Sequence, residues 1–279
     1  MIRQIFVFTN SLNLDTLQLL GRSAPSPLHY IRPFSHDAPK EIKALRQGDF
    51  LMIRTSGVNY DDSDLEIARK LKEDLNIELS HPLSALKILR DKSLQAKWLK
   101  EHNLPHPPTI VPTLEDTNEL KGDHLILKTK RGNQGHGVFK LTREEFSKHW
   151  QELVAKGDTE YILQESIEDQ RELRLLVLGP KVHLIEKKGA HWKKNAQHCE
   201  FQPFKGSGQD ELIALAHRIA NKLKCKCFAV DLFIAKDNSP TIIEINANPG
   251  LMAASKALPE EDLGRDFFAA FGFRKSCNH

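Results

Sequence analysis

Cysteine is scarce in this chain. Its four thiols, Cys199, Cys225, Cys227 and Cys277, fit neither paired-Cys zinc spacing nor a disulfide framework. The N-terminal run MIRQIFVFTN is short, β-like and without a small-residue cleavage site, so no signal peptide is expected, and reduced thiols in the cytoplasm are the default. No apolar run approaches the roughly 20 residues of a membrane-spanning helix, which leaves no membrane partner to expect. A dominant charge is missing too. Lys and Arg number 40 against 37 Asp and Glu, a net +3, and nothing demands a nucleic-acid partner. The Walker Gly-Lys-Ser/Thr run, the Rossmann G-x-G-x-x-G order and a Ser/His/Asp triad signature are all lacking. So are internal repeats and low-complexity tracts. What remains is ordinary globular composition, 40% hydrophobic and 28% charged over 279 residues, long enough for two or three lobes.

The most informative stretch is AVDLFIAKDNSPTIIEINANPGLM, residues 229–252. Two apolar runs flank Asp237-Asn238-Ser239-Pro240, a cluster of turn formers, and so predict a β-hairpin. If those four residues form the loop, Lys236 faces Thr241 and Asp231 faces Asn246. Glu244 then projects from the same face as Asn246, because strand side chains alternate. Opposed Cβ atoms stand about 5 Å apart and diagonal neighbours remain in reach. Three hard oxygen donors, Asp231, Glu244 and Asn246, thus converge, a set suited to Mg²⁺. The competing reading is a solvated polar face. The flanking Phe233, Ile242 and Ile243 and the closing Asn248-Pro249-Gly250 favour the metal.

Around this hairpin the chain alternates strands and helices. Residues 2–8 and 50–53 read as strands, separated by a loop-rich region with Pro25, Pro27, Pro33 and Pro39. Ser63 and Glu66 fit a capping box that opens a helix to about Leu75. Residues 83–102 read as one helix, and Pro105, Pro107 and Pro108 then break the chain. A short strand ends at Lys128 and is followed by Gly132, Gly135 and Gly137. This loop can bring backbone N–H groups to phosphate oxygens, or be no more than a flexible β-turn. Thr142 and Glu145 fit a second capping box. A strand at residues 161–163 leads into Gln164-Glu165-Ser166-Ile167, and a hairpin turns at Gly179-Pro180. Lys187, Lys188, Lys193 and Lys194 precede Asn195. Each alone reads as a solvated basic residue; together they suit the steering of an acidic substrate. Residues 209–224 and 262–271 read as helices.

Taken in order, these stretches resemble the ATP-grasp superfamily and, within it, the RimK-type ligases, known for adding glutamate to a ribosomal protein. The resemblance covers roughly residues 85–255. It rests on Arg90-Asp91-Lys92, Lys128, the loop from Gly132 to Val138, Leu163-Gln164-Glu165-Ser166-Ile167, Glu172-Leu173-Arg174, Val230-Asp231-Leu232 and Glu244-Ile245-Asn246-Ala247-Asn248-Pro249-Gly250. It implies two α+β lobes that sandwich ATP, preceded by a small α/β domain, with divisions at residues 1–82, 83–163 and 164–279. It further implies that Lys128 and Lys92 meet phosphate, with the glycine loop as lid. Gln164, Glu165, Ser166 and Ile167 would meet adenine, and Glu172 the ribose or nucleotide hinge. Arg174 and Asn195, with Lys194 beside them, would face the phosphates and the reacting acyl group, and Asp231, Glu244 and Asn246 would hold Mg²⁺ or Mn²⁺. The expected activity is an ATP-dependent carboxylate–amine ligase, working through an acyl phosphate and releasing ADP and phosphate. Its partners would be ATP, a carboxylic acid and the amine of an amino acid, peptide or protein tail. The alternatives are a kinase acting on a small-molecule hydroxyl and a non-catalytic nucleotide-binding regulator. Where the glutamate ligases carry Arg-Ser-Asn followed by His-Arg-Gly-Gly, this chain has Lys193-Lys194-Asn195 and then Gln197-His198-Cys199-Glu200, which leaves the acceptor open.

Overall fold

The computed structural model describes residues 3–12, 14–55, 61–113, 120–132, 135–167, 170–189 and 199–273. Its first sheet consists of β1 (Ile5–Phe8), β2 (Leu28–Ile31), β3 (Phe50–Ile53) and β4 (Glu78–Leu79), in the order β2-β1-β3-β4, and every pairing is parallel. IFVF and FLMI are buried at every position, as expected of parallel strands covered on both faces. The region expected to be loop holds α1 (Asp15–Ser23), β2 and α2 (Ala38–Ile42). α1 buries only Thr16, Leu17 and Leu20, a stripe too narrow to stand out in sequence. Pro39 lies in the first turn of α2, where a missing N–H costs no hydrogen bond.

The helix α3 (Ser63–Leu75) starts where expected, but without the capping box. Asp62 is the cap residue, in the left-handed region at φ 59, and its carboxylate is taken by Arg131 and Arg90 instead. Glu66 turns to Arg69. The single helix expected next is two, α4 (Leu83–Arg90) and α5 (Lys92–Glu101). The break is at Asp91, whose extended backbone lets its carboxylate accept from the N–H groups of Ser93 and Leu94.

The central sheet is antiparallel, in the order β5-β8-β6-β7, from β5 (Thr109–Ile110), β6 (His124–Thr129), β7 (Val138–Thr142) and β8 (Tyr161–Glu165). The helix α6 (Arg143–Ala155) covers it, and here the expected capping box of Thr142 and Glu145 is complete. The third sheet contains β9 (Arg171–Leu178), β10 (Lys181–Lys188), β11 (Glu200–Pro203), β12 (Cys227–Ile234) and β13 (Pro240–Asn246), in the order β11-β10-β9-β12-β13. Three further helices, α7 (Gln209–Leu223), α8 (Met252–Ala257) and α9 (Leu263–Ala270), complete the elements named here.

The cores show how the sheets are joined. Phe6, Phe8, Leu51 and Ile53 of the first sheet share one core with Leu173, Leu175, Val230 and Ile245 of the third. Ile5, Val7 and Phe50 share another with Leu176, Leu178, Phe267 and Phe268. The central sheet keeps its own core, built on Leu125, Leu127, Phe146, Trp150 and Leu163. No helix among the described residues is long and apolar enough to cross a membrane.

One side chain fixes β13 to α5. The buried amide of Gln95 donates to the carbonyl of Ile245 at 3.0 Å and accepts from its N–H at 2.7 Å. Gln95→Leu leaves both backbone groups buried and unpaired, which costs about 2–4 kcal/mol. Urea unfolding of the variant should show a lower midpoint at unchanged slope; an unchanged midpoint would show that the amide is dispensable.

Candidate active site

The hairpin of β12 and β13 forms, but in a different register from the one expected. Ile234 pairs with Pro240, Phe233 with Thr241 and Leu232 with Ile242; beyond that Asp231 faces Glu244, and Ala229 faces Asn246. The loop is residues 235–239, closed by Ala235 N–H donating to Ser239 O at 3.1 Å. Asp237 sets the turn by accepting from the N–H and hydroxyl of Ser239, so Pro240 opens the strand instead of ending the turn. The register also shifts between Asp231 and Leu232, leaving Ile243 unopposed as a β-bulge. Without the bulge, Asp231 would face Ile243. The partner of Asp231 is therefore Glu244, two residues from the expected Asn246. An even displacement keeps the same face, so the three oxygen donors still share it.

On its other side Asp231 pairs with Arg174 of β9. The guanidinium donates from Nε to Oδ1 at 2.8 Å and from Nη2 to Oδ2 at 2.7 Å. Lys187 Nζ lies 3.0 Å from the same Oδ1 and donates to Glu172 Oε1 at 2.6 Å. Burial would raise the Asp231 pKa, but Arg174 and Lys187 outweigh it and hold the carboxyl well below the usual range. Arg174 is held well above its ordinary value: burial opposes the charge, and Asp231 more than compensates.

Lys187 is the residue that the sequence reading misplaced. It was expected in a solvated basic segment, yet β10 runs through it and leaves it 5% exposed. The signal was present in the strand alternation: Lys187 is two residues past buried Ile185, on the same face, and opposite Glu172. Asn195, with Lys193 and Lys194, lies outside the described residues.

The central sheet presents Lys128 at the end of β6, as its penultimate residue. Burial pushes its pKa down to about 8, against the pull of Glu244 and with the repulsion of Lys92. Lys92 donates to Gly132 O at 3.0 Å and stands 3.7 Å from Glu244 Oε1, so it touches both the glycine loop and the hairpin. Gly132 folds over Thr129, where a Cβ would collide with the threonine hydroxyl. Gly137 is left-handed at φ 65, and so is Gly135 at φ 75. Arg131 ties this loop back to α3 through Asp62, at 3.0 and 2.9 Å. Gln164 is buried and donates to Thr109 Oγ1 at 2.8 Å. Glu165 accepts from the Lys121 N–H at 2.5 Å, and Ser166 N–H donates to His124 O at 3.0 Å. Ile167 follows, half-buried.

The donor set fits a hard divalent cation. A carboxylate offers about four lone-pair positions, and Asp231 uses three on Arg174 and Lys187. Among the described residues, the nearest cation to Glu244 is Lys92 Nζ at 3.7 Å, and Asn246 adds an amide on the same face.

This geometry accords with what the chain is similar to. The ATP-grasp domain model matches residues 89–250, and the chain belongs to the ATP-grasp family. It is 28% identical over 181 residues to D-alanine–D-alanine ligase B of Clostridium perfringens, covering 59% of each chain. It is 28% identical over 179 residues to a probable alpha-L-glutamate ligase of Legionella pneumophila, covering 60% of this chain and 58% of that one. The chain thus spans less than two thirds of these relatives' length. Among solved structures, D-alanine–D-alanine ligase from Bacillus anthracis superposes with a TM-score of 0.72 at 16% identity, covering 97% of this chain and 96% of that one. The RimK domain ATP-grasp protein from Sphaerobacter thermophilus gives 0.71 at 16%, covering 96% and 98%. The fold is the ATP-grasp fold.

Lys128 gives the site a measurable titration. Its folded pKa of about 8 lies below the ordinary 10.5. The unfolded chain therefore binds more protons between those values, and this group makes stability rise with pH across that window. Lysine ¹³Cε NMR should show a resonance titrating near 8. Glu244→Gln should move it lower still, by removing an anion. Titration near 10.5 in both proteins would contradict this placement.

Proposed function

We propose that this chain is an ATP-dependent carboxylate–amine ligase that activates a carboxylic acid as its acyl phosphate, releases ADP and phosphate, and joins the acyl group to an amine. The observation that carries it is the row Arg174–Asp231–Glu244 across one sheet face, with Lys92 in reach of Glu244 and of the glycine loop. A carboxylate attacking a γ-phosphate must approach another anion; the fixed cations Arg174 and Lys92, and a metal that the adjacent carboxylates would hold, lower that repulsion. The units involved are the proposed divisions 1–82, 83–163 and 164–279.

In this reading Lys128 and Lys92 hold phosphate oxygens. The depressed pKa of Lys128 means that an arriving phosphate restores its proton, so nucleotide binding takes up protons near pH 8. Gly132, Gly135 and Gly137 close over the phosphates and keep water from the acyl phosphate. The segment Gln164, Glu165, Ser166 and Ile167 borders the adenine. Within that segment Glu165 and the Ser166 N–H are engaged by the central sheet. Glu172 positions Lys187, and the two keep Asp231 charged and oriented. Asp231, Glu244 and Asn246 would hold Mg²⁺ or Mn²⁺, which when bound neutralises phosphate charge as a Lewis acid. Arg174, and by resemblance Asn195 with Lys194, steady the oxyanion when the amine attacks. The acid and amine are amino-acid-like. Lys187 drops out of the residues that could steer an acidic acceptor, because it is committed to Glu172 and Asp231.

Incubation with ATP, Mg²⁺, hydroxylamine and a panel of amino acids and small carboxylic acids tests the class. A hydroxamate should form with at least one acid, with ADP and phosphate released, and Asp231→Asn should lower the rate by about a hundredfold or more. A phosphorylated alcohol in place of the hydroxamate would make the protein a kinase, and release of AMP would overturn both.

A further inference from the structure

Away from this cleft, His183, Glu261 and Asp266 bring three potential ligand atoms within 4.8 Å of one another, the one such group among the described residues. His183 stands on β10 two residues after Lys181, on the same face. Asp266 is on α9 and Glu261 lies just before that helix. The elements are held close: at Gly179, in the turn between β9 and β10, a Cβ would come within 2.8 Å of Ala270 Cβ on α9.

The three groups are not a mere acidic patch. The His183 side chain is 9% exposed, and its Nε2 is buried without a hydrogen-bond partner. That nitrogen lies 3.5 Å from Asp266 Oδ2. This is long for a hydrogen bond, but two ligands on one zinc at bond lengths near 2.0–2.1 Å stand about 3.3 Å apart in tetrahedral geometry. Lys181 Nζ already marks the point where positive charge settles, 2.9 Å from Asp266 Oδ2 and 3.4 Å from Glu261 Oε2. Its side chain is 47% exposed, so solvent can take up the ammonium when a metal displaces it.

We propose that His183, Glu261 and Asp266 form a binding site for a divalent transition metal, best met by Zn²⁺, and that the Lys181 ammonium holds the place until the metal enters. Burial lowers the His183 pKa below its ordinary value, against the attraction of Glu261 and Asp266, which keeps the ring neutral and able to ligate at neutral pH. One imidazole with two carboxylates suits Zn²⁺ and disfavours Mg²⁺, which takes oxygen ligands. The site is thus chemically distinct from the all-oxygen set of Asp231, Glu244 and Asn246. With three protein ligands it leaves a fourth position for water, and it would clamp α9 onto β10. The competing account is a plain Lys181–Asp266 ion pair beside a buried neutral histidine.

The full chain, stripped with EDTA and free of nucleotide, separates these accounts without any assay of turnover. Calorimetric titration with Zn²⁺ should show one equivalent bound at micromolar Kd or tighter, with a rise in Tm. Co²⁺ in its place should give visible ligand-field bands. His183→Gln should weaken Zn²⁺ binding by about tenfold or more, and Lys181→Met should tighten it by removing the competing cation. Glu261→Gln, on an exposed side chain, should weaken binding without disturbing the fold. Zn²⁺ affinity unchanged in His183→Gln and Glu261→Gln, or no binding up to about millimolar Zn²⁺, would leave the ion-pair account standing and overturn the site.

Discussion

The Asp231 carboxylate is almost fully buried, and it is charged only because Arg174 grips both of its oxygens while Lys187 touches one of them. Removing one partner of such a buried pair costs about 3–5 kcal/mol, because the other charge is then stranded. The arrangement depends on strand order. β9 lies between β10 and β12, so Glu172 and Arg174 on β9 reach Lys187 on one side and Asp231 on the other. The bulge at Ile243 adds Glu244 to the row. The result is a row of fixed charge, a cation beside two adjacent carboxylates, that requires little reorganisation when another charged species arrives.

The rest of the molecule holds that line against the central sheet. Gln95 clasps the β13 backbone from α5, and Lys92, at the start of the same helix, spans the glycine loop and Glu244. Arg131 and Arg90 meet at Asp62, linking the loop to the first sheet's helix α3. The first and third sheets share two cores, whereas the central sheet has its own. Its attachment therefore rests more on polar contacts than on a shared core, an arrangement compatible with a lobe that closes over a ligand.

Much of this was legible in the sequence because the decisive residues sit in strands, where period-two alternation fixes the face. Asp231, Glu244 and Asn246 could be placed together before the register was known, since an error of two residues leaves the face unchanged. The register itself was not legible. It depends on a bulge and on Asp237 capturing Ser239, both settled by local geometry. Lys187 was missed because a run of basic residues looks solvated until the opposing carboxylates are known. The α3 cap was misread for a similar reason: Ser63 and Glu66 have the right spacing, but Asp62 is drawn off by two arginines from distant segments. Thr142 and Glu145 have no such competitor and form the box that their spacing indicates.

The central proposal is that Asp231 and Glu244, with Asn246, would hold a divalent metal that arrives with nucleotide. Electron paramagnetic resonance of Mn²⁺, titrated into the protein with a non-hydrolysable ATP analogue, tests this directly. The account predicts one tightly bound Mn²⁺ that needs the nucleotide, and at least a tenfold loss of its affinity in both Asp231→Asn and Glu244→Gln. Mn²⁺ bound with equal affinity by the wild-type protein and both variants would contradict it.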